Sequence, residues 1–354
     1  MANNSSNDLA RQEARLAYKL LAPAAIILLL VALYPLGQVF YTSMTDRVFA
    51  SGQEVNFIGF DNYRQLLSMR VTELPPQYDD DGNVMRDDDG DIVYERPIQV
   101  LPREPRRFRE VRQFSIFGTR YVIGASNPTF IGAITNTVLF TVISVFLETV
   151  LGLLIALVVN SNFKGRGAMR AIMLVPWAII TVVSARMWEW MLASSRVGIF
   201  NTLLRRFDLI DESIAFLQSS TWQLPSMIAV DVWKTTPFMA LLILAGLQLI
   251  PNELYEAARV DGASKVRQFF AITLPLIKPS LAVALIFRTL DALRVFDVFQ
   301  VLLAQSRYSM ASYNYFQLIN NRAMGLSSAI GVVIFVIIFA FAMMYIKALG
   351  VDAE

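Results

Sequence analysis

The chain has 354 residues, of which 55% are hydrophobic and only 17% charged, against about 25% charge in an ordinary soluble domain. Its formal net charge is +2, so no bulk basic field points to nucleic acid. It contains neither cysteine nor histidine, which excludes disulfide scaffolds, thiol nucleophiles, Ser-His-Asp hydrolysis and zinc sites built on Cys or His.

The composition is that of a membrane protein, and a helix needs roughly 20 apolar residues to cross a bilayer. Six stretches qualify in chain order: Leu20–Thr42, Ile131–Val159, Ala171–Leu192, Pro225–Ile250, Pro275–Leu293 and Ser327–Lys347. The first is read as an uncleaved anchor. Its apolar run is too long for a signal peptide, and no small-residue cleavage site follows the Tyr34–Met44 end. The predicted organisation is a cytoplasmic segment 1–19, a span 20–42, an external segment 43–130, a five-helix core 131–347 and a cytoplasmic tail 348–354.

Orientation follows from basic residues near the span ends. Arg11, Arg15, Lys19, Lys164, Arg166, Arg170, Arg259, Lys265, Arg267, Lys278 and Lys347 share one side, and six arginines lie in the short loops opposite. The bias places both termini inside. Long loops translocate regardless of charge, so Ser43–Phe130 is discounted.

That external segment repeats Asp79-Asp80-Asp81-Gly82 as Asp87-Asp88-Asp89-Gly90, ahead of a basic stretch Arg103–Arg112. The Asp-Gly turns flanking Asn83–Arg86 predict a solvated β-hairpin. A calcium loop is the sharper alternative. The acids it needs five positions before each Gly are replaced by Gln77 and Met85, and its twelfth positions hold Asp88 and Arg96.

The strongest local signal runs from Ile250 to Pro279. Pro251 and Asn252 open a helix, Glu253 and Glu256 favour its first turns, and Asp261-Gly262 end it with a left-handed cap. The small Ala257 and Ala258 let a partner surface approach. By physics alone an ordinary cytoplasmic helical hairpin fits equally well.

This stretch resembles the EAA loop of binding-protein-dependent ABC importer permeases. The residues that carry the resemblance are Glu256, Ala257, Ala258, Asp261, Gly262 and Ala263, followed by Ile272, Leu274 and Pro275. Phe57–Tyr63, Asn136-Thr137, Val232–Lys234 and Ala245–Leu247 are similar to the carbohydrate-uptake group. Trp233–Met239, Phe287–Ala292 and Phe296-Asp297 look like the trehalose/maltose type within it. Two departures face outward: Leu303–Arg307 replaces the usual Thr-x-Gly-Gly-Pro, and the Met69–Tyr121 insertion is longer than usual.

The resemblance implies that loop 251–274 is a coupling helix docking on an ATPase subunit. It implies a second homologous permease, a dimer of ATPase subunits, an extracytoplasmic sugar-binding protein and a sugar substrate as partners. No nucleic acid is implied. No Walker A pattern occurs in the chain: the Lys234-Thr235 pair lies within a span. No catalytic residue, metal or cofactor is therefore expected here, and ATP with magnesium is assigned to the partner ATPase.

Asp231, Lys234, Arg288 and Asp291 lie at membrane depth, where each central charge costs about 2.5–3.5 kcal/mol on insertion scales. Asp231, Lys234, Thr235 and Phe238 share one face of the fourth span, as Arg288, Asp291 and Val295 do on the fifth. Asp231–Arg288 and Lys234–Asp291 are the available pairs. Two readings stand: ion pairs that fix packing, or a polar sugar site in which Phe238 stacks on a pyranose. The resemblance implies the second, with sugar contacts at these seven positions. Glu148, Arg186 and Glu189 read as packing or span-end groups, and Trp188 and Trp190 as an interfacial belt.

The expectation is an all-α polytopic membrane protein of six transmembrane helices in the cytoplasmic membrane, the permease half of a sugar importer. A glycerol-phosphate or polyol permease is the alternative within the class. A non-transporting scaffold or receptor is the alternative outside it.

Overall fold

The computed structural model describes residues 2–349 apart from Arg196, with side chains from Glu13 to Lys347. The expected tail 348–354, the side chain of Arg11 and Arg196 thus lie outside the described side chains. The chain forms two compact units, one built from the segment up to Arg64 with Gln317–Val332, the other from Gln65–Phe316 with Val333 onward.

In the first unit α1 (Ala2–Leu28) passes through a π-helical turn, Leu29–Leu33, into α2 (Tyr34–Thr42). The wide turn sits immediately before Pro35, whose missing amide hydrogen cannot serve a regular turn. Beyond α2 the polypeptide is held by side chains. The Asp46 carboxylate accepts from the Asn56 backbone at 2.7 Å and from its amide at 2.9 Å. The Asn56 side chain is the main cause that holds the Asp46 carboxyl below the usual carboxylate range. Buried Asn62, on α3 (Asp61–Leu67), donates to the carbonyls of Ser43 and Thr45, each at 2.9 Å.

The external insertion in the second unit is folded, beyond the hairpin expected of it. Strands β1 (Met69–Glu73), β2 (Arg109–Ile116) and β3 (Thr119–Ala125) make an antiparallel sheet in the order β1-β3-β2, and a short α4 (Pro97–Val100) precedes β2. Buried Leu74, Leu101 and Val122 form its small core. The Asp-rich repeats make two successive turns in place of one hairpin. Asp79 Oδ1 accepts from the amides of Asp81 and Asn83, and Asp87 Oδ1 from those of Asp89 and Asp91. The amide of Met85 bonds Gln77 O, that of Val93 bonds Met85 O, and that of Gln77 bonds Val93 O, closing a ring of three backbone hydrogen bonds. The eight-residue spacing of these three residues matches the repeat of the acidic turns.

The helices of the second unit begin with α5 (Pro128–Asn160), which Pro128 opens while Asn127 Oδ1 accepts the Phe130 amide at 3.0 Å. Then come α6 (Arg166–Met173), α7 (Val175–Ala178), α8 (Thr181–Met191), α9 (Ile199–Arg206) and α10 (Ser220–Leu247). The loop helices α11 (Asn252–Val260) and α12 (Lys265–Gln268) follow, and a π-helical turn, Phe269–Thr273, leads into α13 (Leu274–Ala292). The chain ends through α14 (Asp297–Leu302), α15 (Met310–Ile319) and α16 (Met324–Leu349).

Among the described residues five helical stretches are long and apolar enough to cross a membrane, or six if the bent third is one span. The expected third span, Ala171–Leu192, is corrected in shape. Arg166–Ala178 and Thr181–Met191 meet at 89°. Ile179 and Ile180 are extended between them, just past Pro176.

Two apolar cores pack along α5, α10 and α13, the first of them shared with α8 and α14. One contains Phe140, Val145, Met227, Val230, Ala292 and Phe299; the other contains Ala156, Val159, Met239, Ile243, Ile277 and Ala284. Along each of the three helices a charged residue, Glu148, Asp231 or Arg288, falls between its contributions to the two cores. Gly152 permits this closeness: a Cβ there would lie 3.1 Å from the Ala240 amide nitrogen.

Candidate functional site

Arg288 is the centre of the polar layer. Its Nε donates to Glu148 Oε2 at 2.5 Å, one Nη to Glu148 Oε1 at 3.0 Å, and the other to Asp291 Oδ2 at 2.8 Å. It also pairs with Asp231 through a short contact. The guanidinium is a planar fork that can serve several carboxylates at once, which a lysine could not do. Thr235 closes the network by donating to Glu148 Oε1 at 2.5 Å.

Exposure divides the cluster. The side chains of Arg288 and Glu148 are 3% and 0% exposed, whereas that of Asp291 is 69% exposed. One side of the network is thus buried and the other exposed.

Six of the seven expected substrate residues, Asp231, Lys234, Thr235, Arg288, Asp291 and Val295, line a single cavity of about 210 Å³. Thr181, Arg294 and Asp297 line it too; of these only Asp297 lies in a stretch that carries the family resemblance. Phe238 is absent from the lining. Its ring stacks on Trp177, with centroids 5.6 Å apart and planes 8° from parallel. Val295 is not on the fifth-span helix as expected, because α13 ends at Ala292 and the chain turns before α14.

The Asp231–Arg288 pair forms, but the expected Lys234–Asp291 pair does not. The Lys234 ammonium donates instead to Ile179 O at 2.5 Å and Trp177 O at 3.3 Å. These carbonyls are freed where α7 stops, so the cation caps the break in the third span. Glu148, read from sequence as packing or a span end, belongs to the network. A lone carboxylate inside a 33-residue apolar helix was the available signal. Trp188 is likewise corrected: it is 8% exposed, in the core, stacked on Phe200 at 5.5 Å. Trp190 is 75% exposed.

The second candidate surface is the loop between α10 and α13. Gly262 has φ +75°, its amide bonds Arg259 O at 3.1 Å, and the Ala263 amide bonds Ala258 O at 2.8 Å. This pair of bonds is a Schellman cap, and it accounts for the Asp-Gly-Ala triplet. Ser264 then caps α12 by accepting the Arg267 amide, and Tyr255 Oη meets Thr273 Oγ1 at 2.9 Å. Glu256, Ala257, Asp261 and Gly262 are exposed, with Ala258 and Ala263 half-buried. Val260 and Val266 are 89% and 67% exposed. The helix presents small and apolar groups outward while Tyr255 fastens its inner side to the start of α13. A push on α11 would therefore reach α13 through a short, hydrogen-bonded path.

Residues 148–349 match the family described as binding-protein-dependent transport system inner membrane component. The trehalose/maltose transport system permease protein of Thermococcus litoralis is 36% identical, covering 98% of each chain. The sulfoquinovosyl glycerol transport system permease protein of Agrobacterium fabrum is 34% identical over 94% of this chain and 89% of its own. The trehalose transport system permease protein of Mycobacterium tuberculosis is 33% identical over 96% and 91%. Among solved structures, a bacterial ABC transporter that imports alginate has a chain of the same fold, with TM-score 0.67, 22% identity, and coverage of 99% of this chain and all of that one.

Proposed function

The chain belongs to the family of binding-protein-dependent transport system inner membrane components and is an ABC importer permease of the carbohydrate-uptake group; from this premise we propose that it translocates a neutral α-glucoside disaccharide such as trehalose or maltose. The observation that supports a neutral sugar is the state of the cations in the cavity. Arg288 is spent on three carboxylates and Lys234 on two carbonyls. Arg294 Nε donates to Leu290 O. The lining holds three carboxylates, Asp231, Asp291 and Asp297, against the three cations Lys234, Arg288 and Arg294, so it carries no net charge. A phosphate or sulfonate would find no net positive lining, whereas hydroxyls find donors and acceptors of both kinds. This favours a disaccharide over glycerol phosphate.

A cavity of about 210 Å³ is smaller than the roughly 300–1,000 Å³ typical of ligand sites. The remaining wall is assigned to a second homologous permease. An ATPase dimer, holding ATP and magnesium, docks on α11, and an extracytoplasmic binding protein delivers the sugar. Closure of the ATPases moves α11, Tyr255 passes the movement to α13, and the cavity opens outward to receive sugar. Chemistry on ATP takes place on the partner, and this chain supplies the path.

Both termini are assigned to the cytoplasm. In intact cells a cysteine at Asp88 of this Cys-free chain should label from outside and one at Lys265 should not. Substrate class is tested by competition in the reconstituted importer. Excess unlabelled maltose or trehalose should suppress uptake of labelled trehalose, and glycerol 3-phosphate should leave it unchanged. Uptake of glycerol 3-phosphate in place of the sugars would overturn the assignment.

A further inference from the structure

A second, larger cleft lies away from the charged layer. It is about 1000 Å³ in volume and is framed by the end of α8, the chain after it, the start of α10 and the segment following α14. In the proposed orientation this is the external mouth. Its lining is unlike the lipid-facing surface. Trp190 offers an indole that is 75% exposed. Arg186 and Glu189 neutralise each other at 2.6 Å, so they present donors and acceptors with no net charge. Ser194 Oγ donates to Gln218 Oε1 at 3.0 Å, which fixes the Gln218 amide by its oxygen. Gln223 is 5% exposed and fixed by bonds to Leu217 O at 3.0 Å and Ser306 Oγ at 3.2 Å.

A flat aromatic face beside fixed amides, hydroxyls and a self-neutralised ion pair suits a polyol ring. The apolar side of a pyranose covers the indole, and its hydroxyls exchange water for side-chain partners. An anion finds no unpaired cation among these groups, and a purely apolar ligand would strand the polar ones. The volume reaches the upper end of the range for small-molecule sites and accommodates an oligosaccharide. We propose that this cleft is an external sugar subsite, separate from the charged cavity, that holds the sugar as it enters, with Trp190 as the stacking platform and Gln218 as a hydrogen-bonding partner. The inference rests on the sugar-permease reading above and adds a place that nothing in the family resemblance assigns.

The test is saturation-transfer-difference NMR with trehalose and, separately, maltose on the assembled importer in nanodiscs without the binding protein. Saturation should pass to the sugar ring protons in the wild type. Trp190→Ala should reduce the transfer about fivefold to tenfold, in line with the loss of one aromatic contact. Gln218→Ala should weaken it, and Trp190→Phe should retain most of it. Because Trp190 and Gln218 are exposed, co-elution of the ATPase with each variant verifies assembly.

Undiminished transfer in Trp190→Ala overturns the subsite, as does a wild type that transports trehalose yet shows no transfer. A fall in membrane abundance with unchanged transfer per complex overturns it in favour of an interfacial anchor. If uptake of neutral sugars fails in the wild type while transfer still depends on Trp190, the subsite stands and the transport assignment falls.

Discussion

Arg288 and Glu148 are 140 residues apart in sequence and joined by two hydrogen bonds, from Nε at 2.5 Å and from an Nη at 3.0 Å. The pair ties α13 to α5, and Asp231 adds α10 to the same guanidinium. Removing one member of a buried ion pair typically costs about 3–5 kcal/mol, because the remaining charge is left without compensation. Arg288→Gln strands Glu148 and Asp231 together. It should abolish recovery of the assembled complex from detergent extracts, measured by co-purification of the ATPase. Glu148→Ala should also destabilise it, less severely, since Arg288 keeps two carboxylates. Normal yield of Arg288→Gln would mean that water reaches the network.

The exposed side of the cluster should behave differently. Asp291 is mostly solvent-exposed, so Asp291→Asn should leave assembly intact and lower sugar uptake severalfold, as read by labelled trehalose accumulation. Phe238→Ala removes a partner of Trp177, an aromatic contact worth about 0.5–1.5 kcal/mol. Uptake should fall with little loss of complex. Wild-type uptake in Asp291→Asn would detach this cavity from the substrate path.

Lys234 tests the break in the third span. Lys234→Met keeps the aliphatic stem and leaves the carbonyls of Trp177 and Ile179 without their cation. At membrane depth a carbonyl left without a donor costs free energy unless water reaches it. The purified complex should melt several degrees lower, and Lys234→Arg should recover part of the loss. An unchanged melting temperature in Lys234→Met would show that water serves these carbonyls equally well.

Gly262 tests the coupling loop. A Cβ there would meet nothing within 4 Å, so the constraint is the backbone, at φ +75°. Left-handed geometry costs an L-residue roughly 1–2 kcal/mol, and a branched side chain tolerates it least. Gly262→Val should insert at normal abundance while ATPase association and uptake fall. Gly262→Asn should retain more of both. Equal association in the two variants would remove the cap from the coupling argument.

What the sequence made legible had a strong local period or a local chemical cause. The apolar runs of α5, α10 and α16, and the Asp261-Gly262 end of α11, belong to that class. The break in the third span was hidden because Val175–Ile180 is apolar in either geometry, and only Pro176 hinted at it. Glu148 was missed because its partner lies on another helix, and spacing along one helix cannot reveal such a meeting. Val295 was placed on a helix face because nothing in Leu293–Phe296 breaks helices strongly. The insertion was read through its charges, which obscured the β-branched and aromatic pattern of Phe114–Ala125. Four of the six cavity residues, Asp231, Lys234, Arg288 and Asp291, are legible as charges at membrane depth that need partners or water, whereas Thr235 and Val295 are reached only through helical spacing and the family resemblance.

The central claim is that this chain forms a passive path for a neutral sugar, driven by ATP on a partner. It is tested most directly in proteoliposomes holding both permeases and the ATPase dimer, with the binding protein outside and ATP enclosed. Labelled trehalose or maltose should accumulate against its gradient only when ATP and the binding protein are both present, and Gly262→Val should lower uptake together with ATPase association. Accumulation driven by an ion gradient without ATP, or ATP hydrolysis stimulated by the loaded binding protein with no sugar entering, would contradict it.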